Sequence, residues 1–228
     1  RSDPCTLTLL APWPPGAAAS QAASYVPLPL AKNTADNRLP IPSGLISLAS
    51  ALAVTNALAS IESTPKFEIK WPNDVMLNQR KIAGILVESI STDTDLFSVI
   101  GIGANINNLN MPTLQDMDHR RECVETSAAT SLAQASGNST PLSEVLIEIL
   151  IELKKQISLV NEDPQQVVDQ FNRVLMWREQ AILRTPPLGA TVTGTCLGVT
   201  SDGGLRIKTE NQIEIIHSGS VQKFDSSG

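Results

Sequence analysis

The run KWPNDVMLNQRKIAGILVE, Lys70 to Glu88, decides how the rest of the chain is read. Strand-forming residues at Phe67 to Ile69 lead into it, and turn residues follow at Pro72, Asn73 and Asp74 and again at Asn78, Gln79 and Arg80. An apolar strand resumes from Lys81. Pro and Asn favour non-extended backbone and aliphatic residues flank them, so the run is expected to form a hairpin, two strands around a polar tip. A hairpin alone does not require a lysine at the mouth of its second strand, an Asn and an Asp in its first turn, or Gly84 inside the strand. Those residues mark a site.

The same run resembles the biotin protein ligase family, whose core motif has the form KWPND, a short gap, then RKxAGILVE. The likeness is unbroken from Lys70 to Glu88, and VIGIGANIN, Val99 to Asn107, resembles the family's following strand. Two motifs in the right order, preceded by a Leu- and Ala-rich segment like the family's helix, carry the resemblance further than either motif could. It implies an α+β fold, a class II synthetase-like mixed sheet with packed helices, followed by a small SH3-like barrel. It also implies an enzyme that joins biotin, through biotinyl-5'-AMP made from ATP with Mg2+, to a lysine of a biotin carboxyl carrier domain such as the acetyl-CoA carboxylase subunit.

Making an acyl-adenylate brings a carboxylate to the α-phosphate of ATP, so two anions must meet before any bond forms. A fixed cation lowers that barrier. At 4 Å a unit charge pair is worth about 4 kcal/mol at an effective dielectric near 20, roughly three decades in rate if gained only in the transition state. Lys81 is the candidate, and the resemblance implies that it touches the biotin carboxylate and the phosphate; without the motif it would read as an exposed strand-end lysine. Gly84, Gly101 and Gly103 leave room where side chains would collide with a ligand lying on the sheet, although β-bulges would use the same glycines. A dinucleotide-binding reading of VIGIGAN fails, since no third glycine and no helix pattern follow. The Asn105 amide both donates and accepts, which suits an adenine edge. Asn73 and Asp74 are placed in the turn. Asp74 is expected to hold Mg2+, to pair with a cation, or to help deprotonate the acceptor lysine, and a plain Asn-Asp turn is the fourth alternative. The expected catalytic pair is therefore Lys81 and Asp74, and the expected substrate contacts are Lys81, Gly84, Leu86, Gly101, Gly103, Asn73 and Asn105. Trp71 is expected to pack under the hairpin.

Working outward, Ser43 to Ile61 (SGLISLASALAVTNALASI) has small and apolar residues on almost every side, as expected of a helix capped by Ser and buried on more than one face. Residues 12–42 hold seven prolines and are expected to form an irregular connection with at most short helical pieces, read as a surface loop with a partner-docking segment as the rival. Residues 111–123 read as a polar loop. His119 and Cys123 lie four apart, but two candidate ligands are short of the three or four that zinc needs. A short helix is expected over Ser127 to Ala135. Longer helices are expected from Thr140 with Pro141 at the first helical position, and from Asp163 with Pro164 and Gln166 through VVDQFNRVLMWREQ. Phe171, Leu175 and Trp177 read as packing residues. After Gln180 short alternating segments (AILRT, ATVTGTCLGV, LRIKT, QIEIIHSGSV) predict a small barrel, with His217 as a strand residue. The expected domains are residues 1–180, catalytic, and 181–228, barrel.

The 228 residues carry a net charge of −6, which argues against a nucleic-acid surface, because phosphate binding relies on clustered Lys and Arg. Cys5, Cys123 and Cys196 are dispersed and odd in number, which suits a reducing, cytoplasmic location. No uninterrupted apolar run of about 18 residues is present, so no membrane partner is expected. A homodimer is compatible with the reading. The family's GRGRxG loop, which folds over biotin and the phosphates, has no counterpart in the sequence, and the strand-like CTLTLLAPW begins almost at once after Arg1. The chain is accordingly expected to lack its first part and to be weak or inactive alone. A lipoate ligase-like acyl-adenylate enzyme and a noncatalytic carrier-binding or dimerising remnant are the two rivals.

Overall fold

The computed structural model describes residues 4–9, 27–29, 41–63, 66–91, 96–109, 129–186 and 190–224. Six strands among them form one mixed sheet: β1 (Pro4–Leu9), β2 (Pro27–Pro29), β3 (Phe67–Lys70), β4 (Asp74–Leu77), β5 (Arg80–Ser91) and β6 (Leu96–Ala104), in the order β2-β1-β6-β5-β4-β3. β1 runs parallel to β6, and the other neighbours are antiparallel. β2 is a sheet-edge strand inside the stretch expected to be irregular. Its two prolines fit an edge, where a missing N–H leaves no ladder bond unmade. The rest of the proline-rich segment up to residue 40, the His119–Cys123 pair and residues 110–128 lie outside the described residues.

The Lys70–Glu88 run forms a three-strand meander, not two strands around a polar tip. Asp74 opens β4, opposite Lys70, so it belongs to a strand and not to the turn. The second turn is a tight pair, Asn78 and Gln79 (φ 48° and 64°), closed by Leu77 opposite Arg80. Positive φ at both central residues matches the twist of the flanking strands.

Behind the sheet lies α1 (Ser43–Ile61), with twelve of its nineteen residues buried. Pro42, not Ser43, occupies its N-cap. The helix is long and apolar enough to cross a membrane, yet it is packed on β5, β3, α3 (Leu142–Glu162) and α4 (Pro164–Val174). Its composition answers to that all-round burial. Ser50 and Thr55, fully enclosed, donate to the carbonyls of Ile46 and Ala51 at 2.8 Å, so neither hydroxyl is left unsatisfied. In α4 the Asp163 carboxylate accepts from the Gln166 N–H with Pro164 in the first turn, as expected. The helix stops at Val174, short of the run expected to continue to Gln180, because Leu175 bridges to Ile69 and the Met176 N–H donates to the Ile69 carbonyl at 2.8 Å. α2 (Leu132–Ser136) is shorter than expected: Ala129 to Ser131 are extended, and Ser131 is the N-cap.

A second sheet begins at Ala181. It comprises β7 (Ala181–Thr185), β8 (Val192–Val199), β9 (Leu205–Lys208), β10 (Ile213–Ile216) and β11 (Ser220–Lys223), in the order β10-β9-β8-β7-β11, an SH3-like arrangement. The QIEIIHSGSV segment divides into two strands, so His217 lies in the bend between them and not in a strand. Its Nε2 is 3.8 Å from Asp202, whose carboxyl is held below the usual carboxylate range, chiefly by the Thr200 hydroxyl.

The β8–β9 turn is the joint between the two sheets. Trp71 is buried, and its indole N–H donates to the Gly203 carbonyl at 3.0 Å. Gly203 has φ +90°, and a Cβ there would stand 2.5 Å from the Gly44 backbone. Trp71→Phe removes the donor and leaves a carbonyl wanting, and is expected to lower stability by about 1–3 kcal/mol. Gly203→Ala meets both a positive φ and backbone contact, and is expected to be worse. Urea denaturation of the two variants checks the order.

Candidate functional site

In a regular strand residues 81 and 84, three apart, point to opposite faces. Here they share one. Met76 is opposite Lys81 and Val75 is opposite Ala83, so Ile82 is an extra residue, a β-bulge in β5. Ile82 and Ala83 are both buried in the core, and the parity of the strand changes between them. Lys81 therefore lies on the face of Gly84, away from α1. A Cβ at Gly84 would be 3.2 Å from both Cε and Nζ of Lys81.

Asp74 pairs with Gly84, and Gly84 with Gly103, so these three stand in one row across β4, β5 and β6. Leu86 faces Gly101 two residues further along the same face, and Leu86 is 58% exposed. The side chains on the opposite face, among them Val75, Ala83, Ile85, Ile100 and Ile102, belong to the core. The result is a strip of sheet nearly bare of side chains, with an ammonium and a carboxylate at one end. The Lys81 Nζ is ion-paired with Asp74 Oδ1, and both side chains are partly exposed.

Asn73 is close by in sequence but differently employed. Its backbone carbonyl accepts from the Ile85 N–H at 3.0 Å and its side-chain amide donates to the Ile85 carbonyl. It latches the turn onto β5. Asn105 follows β6 directly, its N–H donating to the Ile82 carbonyl at 2.9 Å, which places it beside the bulge. Trp71 faces the second sheet, away from the glycine strip, as its bond to Gly203 requires. Phe171 and Leu175 are core residues, and Trp177 packs against the core with Lys70 Nζ 5.9 Å from its ring centroid.

Two features had no sequence signal. The bulge at Ile82 uses an ordinary aliphatic residue and no glycine. Ala129 to Ser131 lie beside the start of β5: Ala129 bridges to Lys81, the Thr130 N–H donates to the Lys81 carbonyl at 2.9 Å, and an Arg80 guanidinium nitrogen donates to the Ala129 carbonyl at 2.6 Å. Contacts across 49 residues leave no mark in local pattern.

No group of three or more His, Cys, Asp or Glu suited to a metal ion occurs among the described residues. Asp74 offers one carboxylate at the lysine end of the strip. That donor set fits Mg2+ arriving with phosphates, since Mg2+ is commonly held by one or two carboxylates together with substrate oxygens.

Residues 28–105 match the biotin/lipoate A/B protein ligase family, and residues 182–223 match the biotin protein ligase C-terminal domain. The chain is similar to the bifunctional ligase/repressor BirA of Bacillus spizizenii, 30% identical over 184 residues that cover 78% of this chain and 52% of that protein. It is also similar to the biotin–[acetyl-CoA-carboxylase] ligase of Mycobacterium tuberculosis, 29% identical over 181 residues, 78% of this chain and 62% of that one. Among solved structures, the biotin protein ligase from Aquifex aeolicus in complex with biotin and ATP superimposes with a TM-score of 0.63 at 26% identity, covering 79% of this chain and 72% of that chain. The chain belongs to the biotin protein ligase family. It spans about half the length of the curated relatives it matches.

Gly84→Ala is expected to leave the melting temperature within about 3 °C of the parent, because the added methyl presses on the far end of the flexible Lys81 side chain, with Asp74 Oδ1 at an ordinary 3.6 Å, and strand alanine restricts the unfolded chain. The methyl must displace the ammonium. Calorimetry measures the first effect, and a crystal structure of the variant shows the second as a lengthened Lys81–Asp74 separation.

Proposed function

We propose that this chain carries the adenylation site of a biotin ligase, and that the reaction joins biotin to a lysine of a biotin carboxyl carrier domain. The observation that carries the reading is the position of Lys81, brought by the bulge onto the glycine strip and held by Asp74. In the first step a carboxylate oxygen of biotin attacks the α-phosphorus of ATP, the bond to the bridging oxygen breaks, and pyrophosphate leaves. Lys81 offsets the repulsion between the two anions, and its charge counts most as they close on each other. The bare backbone of Gly84, Gly101 and Gly103 lets the acyl and phosphate groups lie against the sheet, and Leu86 supplies apolar contact beside them. Asn105, next to the bulge, serves the adenine edge, and Asn73 acts by fixing the turn that presents Asp74.

In the second step the acceptor amine attacks the acyl carbon, the carbon–oxygen bond to AMP breaks, and an amide forms with loss of one proton. Asp74 is the base nearest that event once Lys81 has turned to the phosphate. Mg2+ bound at Asp74 and the phosphates would neutralise the charge on pyrophosphate as it departs. The proposed carrier is an acetyl-CoA carboxylase subunit, a reading supported by the likeness to the Mycobacterium tuberculosis protein named biotin–[acetyl-CoA-carboxylase] ligase. Cys196, a buried free thiol whose pKa is raised by burial, fits a reducing cytoplasm. The family's GRGRxG loop has no counterpart in the sequence, and on this reading the 228-residue chain alone is weak or inactive.

Such a chain is best tested by binding. A non-hydrolysable biotinyl-adenylate analogue at about 100 times its Kd adds about 2.7 kcal/mol, which raises the melting temperature of a protein this size by roughly 5–10 °C. The shift is expected to shrink in Lys81→Ala and to be absent with the lipoyl counterpart. An equal or larger shift with the lipoyl compound would assign the site to lipoate, and no shift with either would support a noncatalytic remnant.

A further inference from the structure

We propose that Arg80 is a positioning residue for Lys81, acting through the backbone of Ala129 and Thr130; this rests on the reading of Lys81 as the adenylation-site cation. At its first two residues β5 has left β6, whose ladder with it begins at Ala83 and Ala104. A strand end with one free side twists and frays, and a bulge loosens it further. The segment Ala129–Thr130 occupies that free side. The Thr130 N–H donates to the Lys81 carbonyl, and the Arg80 guanidinium, one residue earlier, donates to the Ala129 carbonyl at 2.6 Å. Lys81 is thus held between Met76 on one side and Ala129 on the other.

The segment is itself anchored further on. Leu132 and Ala133 N–H groups donate to the carbonyls of Asn105 and Ile106 at 3.1 and 2.8 Å, and the Ser131 hydroxyl donates to the Asn108 carbonyl. Asn105, in turn, donates to Ile82, the bulge residue. The bulge, the end of β6 and the approach to α2 form one closed circuit of backbone bonds. Arg80 supplies the charge-assisted member of that circuit, the kind of bond that is stronger than its neutral neighbours. Without it the ammonium keeps its ion pair with Asp74 and the Thr130 bond remains, but the brace at the Ala129 carbonyl is lost.

Arg80→Met keeps the apolar stem and removes the donor. Pulse acetylation with acetic anhydride, read on the Lys81 peptide by mass spectrometry and normalised to exposed Lys155, is expected to run about fivefold faster at Lys81 in the variant, about one hydrogen bond's worth of restraint. The melting temperature is expected to stay within about 4 °C. In biotin-dependent exchange of pyrophosphate into ATP, Arg80→Met is expected to lower kcat about tenfold with little change in KM for biotin, and Arg80→Lys, which restores a cationic donor, to recover most of it. Lys81 labelling at the parental rate in a folded Arg80→Met protein would overturn the proposal. Should Arg80→Met fail to fold, Arg80→Lys decides by the same labelling, a rate within twofold of the parent supporting the brace and a fivefold rise contradicting it. Failure of the parent to bind the biotinyl-adenylate analogue would count against the ligase reading, while the labelling would still decide the role of Arg80.

Discussion

A single extra residue in β5 sets the geometry of the candidate site. With Ile82 bulged, Lys81 and Gly84 look the same way; with a regular strand, Lys81 would face the core side and α1 would have to bury an ammonium, at a cost of several kcal/mol. The bulge thereby satisfies two demands together. The core receives Ile82 and Ala83 side by side, and the glycine strip receives its cation. Strands β4 and β6 then supply what the cation needs: Asp74 from one side, and from the other a backbone thinned to Gly103 at the same level.

The five residues Lys70 to Asp74 divide their labour. Asn73 and Asp74 serve the site, one by latching the turn to Ile85 and the other by pairing with Lys81. Trp71 serves the joint, reaching the Gly203 carbonyl in the second sheet, while Lys70, paired across the ladder with Asp74, is buried near the Trp177 ring. One short stretch therefore ties the chemistry to the joint between sheets. A change in how the barrel sits on Gly44 would be felt within three residues of Asp74.

Much of this was legible in the residues and some was not, for reasons that can be named. α1 was readable because nineteen residues of small and apolar type admit few alternatives, and its Ser and Thr hydroxyls are absorbed by the helix's own carbonyls. The candidate site residues were readable through the family motif, whereas their shared face was not, since it depends on a bulge without glycine or proline to announce it. Pro-Asn-Asp is turn chemistry and favours a turn at Asp74; cross-strand pairing with Lys70 and Gly84 overrides that preference. The end of α4 departs from the sequence expectation for a similar reason. Helical periodicity continues past Val174, but Leu175 and Met176 gain more by pairing with Ile69. His217 fell in a bend because Gly219, at φ +111°, turns the chain beside Thr185.

The bulge fixes the orientation of one ammonium over the glycine strip. A crystal structure of the protein with a non-hydrolysable biotinyl-adenylate analogue tests it most directly. The predicted result is the Lys81 Nζ within about 3.5 Å of an α-phosphate oxygen, with the linkage lying over Gly84 and Gly103. An analogue bound elsewhere, or bound over the glycines with Lys81 still turned to Asp74 and out of hydrogen-bond reach, would contradict it.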